Sequence, residues 1–159
     1  MAGSSTDSPR RFYYDLSDPR DYLEAERLRV EDLSLEWVPV HRPPVFRCAE
    51  EIASLKEDVE RRAAAMELQA VRWPDRFPFD SEQAALAATY SKQIGRAVAF
   101  SLAAFRQAFA AGRPLDTVDN IVIAGAACEM HPRALIKALE MKSVREALVV
   151  ATAEARAAA

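Results

Sequence analysis

Cysteine is scarce in this chain of 159 residues: Cys48 and Cys128 are the two present, and they stand far apart. No C-x-x-C pair occurs, and two cysteines do not make a disulfide framework. Both are expected as core thiols, because a free cysteine packs as a small hydrophobe. His41 stands alone, and no Cys, His or Asp set has ligand spacing, so no metal centre is expected. No apolar run approaches the roughly 18 residues needed to cross a membrane. The opening MAGSSTDSPRR lacks the apolar stretch of a secretory signal, and a cytoplasmic location follows by default. The net charge of −3 gives no electrostatic reason to expect nucleic acid as a partner.

What is present is an ordinary globular profile, half hydrophobic and 28% charged, with length enough for one core and hence one domain. Residues 1–10 lack periodicity and are expected as a disordered lead-in. The chain is organised around 11–28, RFYYDLSDPRDYLEAERL. Phe12, Tyr13, Tyr14 and Leu16 supply the aromatic and aliphatic bulk of a strand. Pro19 suits the first helical position, because its missing N–H would be unpaired there anyway. Asp18 is the expected N-cap, and Asp21 adds negative charge to the first turn, where the helix dipole favours it. The helix should end near residues 30–32. Residues 35–40, LEWVPV, read as a second strand, with Pro39 marking an edge or an end. Together these form a βαβ unit over 11–40, expected to be parallel with a right-handed crossover.

The remainder, 48–159, reads as helical. Ile52, Leu55, Val59, Ala63, Met66 and Ala70 recur at helical spacing, predicting a long helix over 48–72 with a wet charged face. Its uninterrupted length raises helix-mediated pairing of two chains, a homodimer. WPDRFPF, 73–79, breaks the helix at its prolines. A capping box at Asp80–Gln83 opens a helix predicted to run to about residue 111, with Gly95 as a weak point and Gly112 as the C-cap. Ile94, Val98, Phe100, Leu102, Phe105 and Phe109 form its expected apolar face. Asp116 is expected to cap a helix over 116–129, in which Gly125 permits close approach of a neighbour. Pro132 starts a helix to residue 140, and Ser143 with Glu146 reads as a capping box for the last helix.

The run Phe12-Tyr13-Tyr14-Asp15-Leu16-Ser17-Asp18-Pro19-Arg20-Asp21-Tyr22-Leu23 resembles the opening of a thioredoxin-like superfamily. That superfamily contains the DsbA thiol oxidoreductases, the 2-hydroxychromene-2-carboxylate isomerases and the kappa-class glutathione transferases. Its members place a reactive Cys or Ser directly before the proline. Here that position holds Asp18, and Ser17 sits one place early. The resemblance implies a site at Ser17, Asp18 and Pro19, with Arg20 and Tyr22 beside it and glutathione as the implied cofactor. The Trp73–Phe79 segment resembles a loop that borders the substrate cleft in the isomerases, so Trp73, Arg76 and Phe77 are implied wall residues; rings plugging a gap between helices is the structural alternative. GRAVAFSLAAFRQAFAAGRPL resembles the family's inserted helix.

The implied fold is α/β: a thioredoxin-like βαβ unit with a large helical insertion, lacking the C-terminal strand pair that carries a cis-proline. Two strands alone make a poor sheet. The sequence is then a fragment, or its helices cover a two-stranded remnant, or a second chain completes the sheet. Two functions stay open. One is a glutathione-dependent isomerase or thiol-disulfide oxidoreductase acting on a small-molecule or thiol substrate. The other is a non-catalytic binding or assembly module, favoured by an aspartate that fills the anion place at the helix start and repels a thiolate.

Overall fold

The computed structural model of the chain describes residues 10–31 and 34–159. Except for Arg10, the lead-in expected over residues 1–10 lies outside the described residues. The elements are β1 (Arg11–Tyr14), α1 (Pro19–Glu31), β2 (Glu36–Pro39), α2 (Ala49–Ala65), α3 (Glu82–Gln93), α4 (Ala97–Phe109), α5 (Val118–Ala126), α6 (Pro132–Ala138) and α7 (Lys142–Ala158). β1 and β2 pair in parallel, with Phe12 beside Trp37 and Tyr13 beside Val38. The expected βαβ unit is therefore present, in a mixed α/β chain that is mostly helical.

One face of the sheet is aromatic. Phe12 and Tyr14 stack, and Trp37 meets both edge-on, with centroids 5.1 to 5.7 Å apart. Phe105 of α4 closes on Tyr14 at 5.8 Å, and Tyr22 of α1 lies 5.7 Å from Phe109. Such pairs add about 0.5–1.5 kcal/mol each beyond the area they bury. The Tyr14 hydroxyl shares a hydrogen bond of 2.5 Å with Ser101 Oγ, so this buried polar atom is satisfied. Burial pushes the Tyr14 phenol well above its ordinary range. α4 is the central post: Phe100, Ala104, Phe105, Ala108 and Phe109 are all fully buried, and the helix packs on α1, α3 and α5.

The other sheet face is covered too. Val38 and Val40 pack on Ala155 of α7, with Tyr13 and Ala151 at the edge of the contact. The His41 N–H donates to Thr152 Oγ1 at 3.0 Å and fastens the end of β2 to the same helix. Helix cover on both faces supplies the burial that two strands cannot supply alone. It also explains why Trp37, Val38, Pro39 and Val40 are all buried.

Several boundaries differ from the sequence reading. The helix expected over 48–72 stops at Ala65. Glu67 takes a left-handed φ of 58°, and its N–H donates to Ala64 O while the Leu68 N–H donates to Ala63 O, both at 3.0 Å. That is a Schellman stop without the glycine that would have announced it. The helix expected over 80–111 is two helices. Gly95, at φ 77°, makes the same motif with bonds to Lys92 O and from Arg96 to Ser91 O. The turn re-aims the chain, leaving Ile94 and Val98 exposed while Phe100 and Phe105 are buried. Thr117, not Asp116, caps α5: its side chain accepts the Asn120 N–H. Asp116 is taken by Arg76 instead. Ser143 lies inside α7, whose N-cap is Met141, so no capping box forms there. Ser81 is the N-cap of α3 but makes no capping bond; Asp80 Oδ1 accepts the Glu82 N–H at 2.9 Å. Cys48 is exposed and Cys128 half-buried, so neither is the core thiol expected. Gly125 does serve close packing: a Cβ there would meet Leu135 Cδ2 at 2.7 Å.

Candidate functional site

The junction between β1 and α1 is held together by carboxylates. Asp15, fully buried at the end of β1, accepts from the Ser17 N–H at 2.8 Å and from Ser17 Oγ at 2.6 Å through Oδ1. Its Oδ2 accepts the Arg42 N–H at 2.7 Å, tying the chain after β2 to the junction. The Asp15 N–H in turn donates to Asp21 Oδ2 at 2.9 Å. Ser17 is fully buried and spends its hydroxyl proton on Asp15. The loop is an Asx turn, a local side-chain-to-backbone bond that Asp-x-Ser spacing favours.

Asp18 is the N-cap, as its place before Pro19 predicts. Its Oδ1 accepts the Arg20 N–H at 2.9 Å, and the Arg20 guanidinium clamps the same carboxylate through Nε at 3.0 Å and Nη2 at 2.9 Å. The Asp18 carbonyl receives the Asp21 and Tyr22 N–H groups at 3.1 and 3.2 Å. Pro19 has no N–H. The first turn of α1 therefore spends its donors on Asp18 itself. Asp21 departs from expectation: a first-turn carboxylate should be stabilised by the helix dipole, yet its pKa is pushed up to about 7. Burial is the main cause and the Asp18 charge the second; the Asp15 N–H and Arg42 oppose the rise and do not cancel it.

A cleft of about 320 Å3 opens beside this turn, between Arg20, Val45 and Phe46 on one side and Glu51, Ser54 and Leu55 of α2 on the other. Phe46 lies 6.2 Å from Phe77, and Phe77 lies 5.1 Å from Trp73. Lys56 Nζ sits over both the Trp73 and Phe77 rings, at 5.4 and 5.6 Å, a cation–π arrangement. The structure thus gathers Asp18, Pro19 and Arg20 at the turn and Trp73 with Phe77 along one aromatic wall. Arg76 is held elsewhere, in a two-pronged pair with Asp116 at 2.7 and 2.8 Å. Tyr22 is buried against Phe105 and Phe109.

No protein-family model matches the chain, and no curated protein sequence matches it. Solved structures do match. A 2-hydroxychromene-2-carboxylate isomerase superposes with a TM-score of 0.77 at 19% identity, over 91% of this chain and 77% of the isomerase. A probable DsbA oxidoreductase from Streptomyces coelicolor gives 0.72 at 17% identity, over 92% and 74%. A candidate protein disulfide isomerase from Nitrosomonas europaea gives 0.73 at 12% identity, over 91% and 76%. The fold is DsbA-like.

A DsbA-like thioredoxin fold ends its first strand at a helix amino terminus, and here that terminus is filled by a side chain of the chain itself. Sequence reasoning missed three residues that shape the place. Asp15 braces the DsbA-like junction, and the Asp-x-Ser spacing was its signal. Phe46 and Lys56 complete the aromatic wall; the spacing of 41–47 and of α2 gave no sign that either would meet Phe77. Among the described residues no group of His, Cys, Asp and Glu is placed to hold a metal ion, and no helix is long and apolar enough to cross a membrane.

Proposed function

We propose that this DsbA-like chain has weak or no thiol chemistry and acts as a binding or assembly module. The observation that carries the reading is the use of the first-turn N–H groups of α1 by Asp18. An anion such as a thiolate gains at a helix start from free N–H groups and the dipole. Here the donors are spent, and the incoming charge would face Asp15, Asp18 and Asp21. The Arg20 guanidinium is clamped by Asp18, and the cations near Asp21 do not cancel the rise in its pKa.

The test is calorimetric titration of the wild type and Asp18→Ser with reduced glutathione. The wild type should give no saturable heat, and the serine variant, with the carboxylate and its charge gone, should bind. Tight binding by the wild type would refute the reading. A second, enzymatic reading has one observation in its favour: Asp21 titrates near neutrality, where a proton donor or acceptor is most effective. It predicts glutathione-dependent isomerisation of 2-hydroxychromene-2-carboxylate that Asp21→Asn abolishes.

A further inference from the structure

A second cavity lies away from the α1 turn. It is an open groove of about 1060 Å3 between α4, α5 and the chain at 69–72, and it shares no lining residue with the cleft beside Arg20. Its floor follows one stripe of α4, Ala99 and Ala103, continued by the C-cap Ala110 and flanked by Leu102, Ile123 and Ala127. These positions recur every three, four or seven residues and so share one face of the helix. Their short side chains leave room above them. Over 96–110 the stripe runs ~21 Å at about 1.5 Å per residue.

The charges in the groove are one-sided. Arg72, Arg96, Arg106 and Arg113 line it against a single acid, Glu129, in a chain whose net charge is −3. Arg106 is engaged by Glu26 at 2.6 Å, and Arg96 reaches the Cys128 carbonyl. Among the described residues, Arg72 and Arg113 have no acid within ion-pairing distance. The backbones that carry them come close at one end, where a Cβ added at Gly112 would meet the Arg72 carbonyl at 3.5 Å; Arg96, at the start of α4, lines the groove farther along. Cations spread along a trough do not converge on one phosphate. They suit a long ligand with several carboxylates, which arginine can grip in a planar, two-pronged geometry. An apolar floor between charged ends suits a helix with one apolar face.

We propose that this groove binds an acidic amphipathic helix of a partner protein, its apolar side laid on the α4 stripe and its carboxylates on Arg72, Arg113 and Arg96. The proposal holds whether or not the α1 turn binds a thiol.

The test is fluorescence anisotropy with a labelled peptide of about 14 residues, long enough to span the groove as a helix, carrying Leu on one face and Glu on the other. The wild type should bind it, and Arg72→Glu/Arg113→Glu should weaken binding at least tenfold, about 1.4 kcal/mol. Arg61→Glu/Arg62→Glu on α2, which reverses the same number of charges outside the groove, should leave binding unchanged. No binding by the wild type overturns the proposal, as does equal loss in both variants. Equal or tighter binding of a single-stranded DNA of matched charge also overturns it, in favour of nucleic acid. Light scattering adds a last check: a wild-type dimer that the groove variant dissociates would assign the groove to a second copy and overturn the proposal. A circular dichroism spectrum unchanged in the variants shows that each reading comes from folded protein.

Discussion

Replacing Asp21 by Asn should stabilise this protein at alkaline pH and leave it unchanged in acid. Asp21 titrates near pH 7 in the folded chain, against an ordinary value of 3.8. Below about pH 4 both folded and unfolded chains hold this proton, and above about pH 7 neither does. Between them the folded chain keeps a proton that the unfolded chain has released, so this residue's contribution to stability falls as pH rises. Each unit costs ~1.4 kcal/mol, and the span of about three units costs ~4 kcal/mol. Asparagine keeps a carbonyl oxygen to accept the Asp15 N–H and carries no charge. The variant should therefore match the wild type near pH 4 and exceed it near pH 8 by up to ~4 kcal/mol. At about 2–4 °C per kcal/mol for a chain of this size, that is a rise in Tm of ~8–16 °C. Thermal unfolding followed by circular dichroism across this pH range reads the difference directly. Carboxylates held low by partners, Glu36 by Lys92 and Arg11 and Asp116 by Arg76, titrate alike in both proteins and cancel. A difference that stays flat with pH, or has the opposite sign, would refute the account of the junction.

Two further substitutions test the packing. Phe109→Ala removes a fully buried ring surrounded by Tyr22, Trp73, Phe77 and Phe79. It should cost about 3–5 kcal/mol in urea unfolding; a loss under ~1 kcal/mol would mean the ring is not at the centre of the core. Thr117→Ala should cost about 1 kcal/mol of stability and Thr117→Ser almost nothing, because the hydroxyl supplies the cap of α5. Equal effects of the two would return the cap to Asp116.

The βαβ unit was legible because its signals are local and agree: aromatic bulk, an Asp-Pro helix start, then a second strand with proline at its end. Helix ends were less legible. Gly95 was visible as a weak point, yet only the register of Phe100 and Phe105 against the core shows that the chain turns there. Glu67 could not be foreseen as a left-handed stop, since its conformation is set by the packing of Leu68 and carries no glycine. Asp116 and Thr117 are both good caps by type; the choice between them was made by Arg76, distant in sequence. At the site, Asp18 was readable from its neighbour Pro19. Asp21 was not, because its proton affinity depends on burial and on two other carboxylates, which spacing alone does not reveal.

The clasp of α7 on Val38 and Val40 has a consequence for how the chain is made. The Thr152 hydroxyl that fastens β2 lies 111 residues beyond its partner His41, so it leaves the ribosome long after the strands it clasps. Until α7 emerges the strand pair lacks its cover on that side, a long-range closure that slows folding and leaves nascent chains prone to associate. Chaperone demand during translation is thus built into the order of the elements.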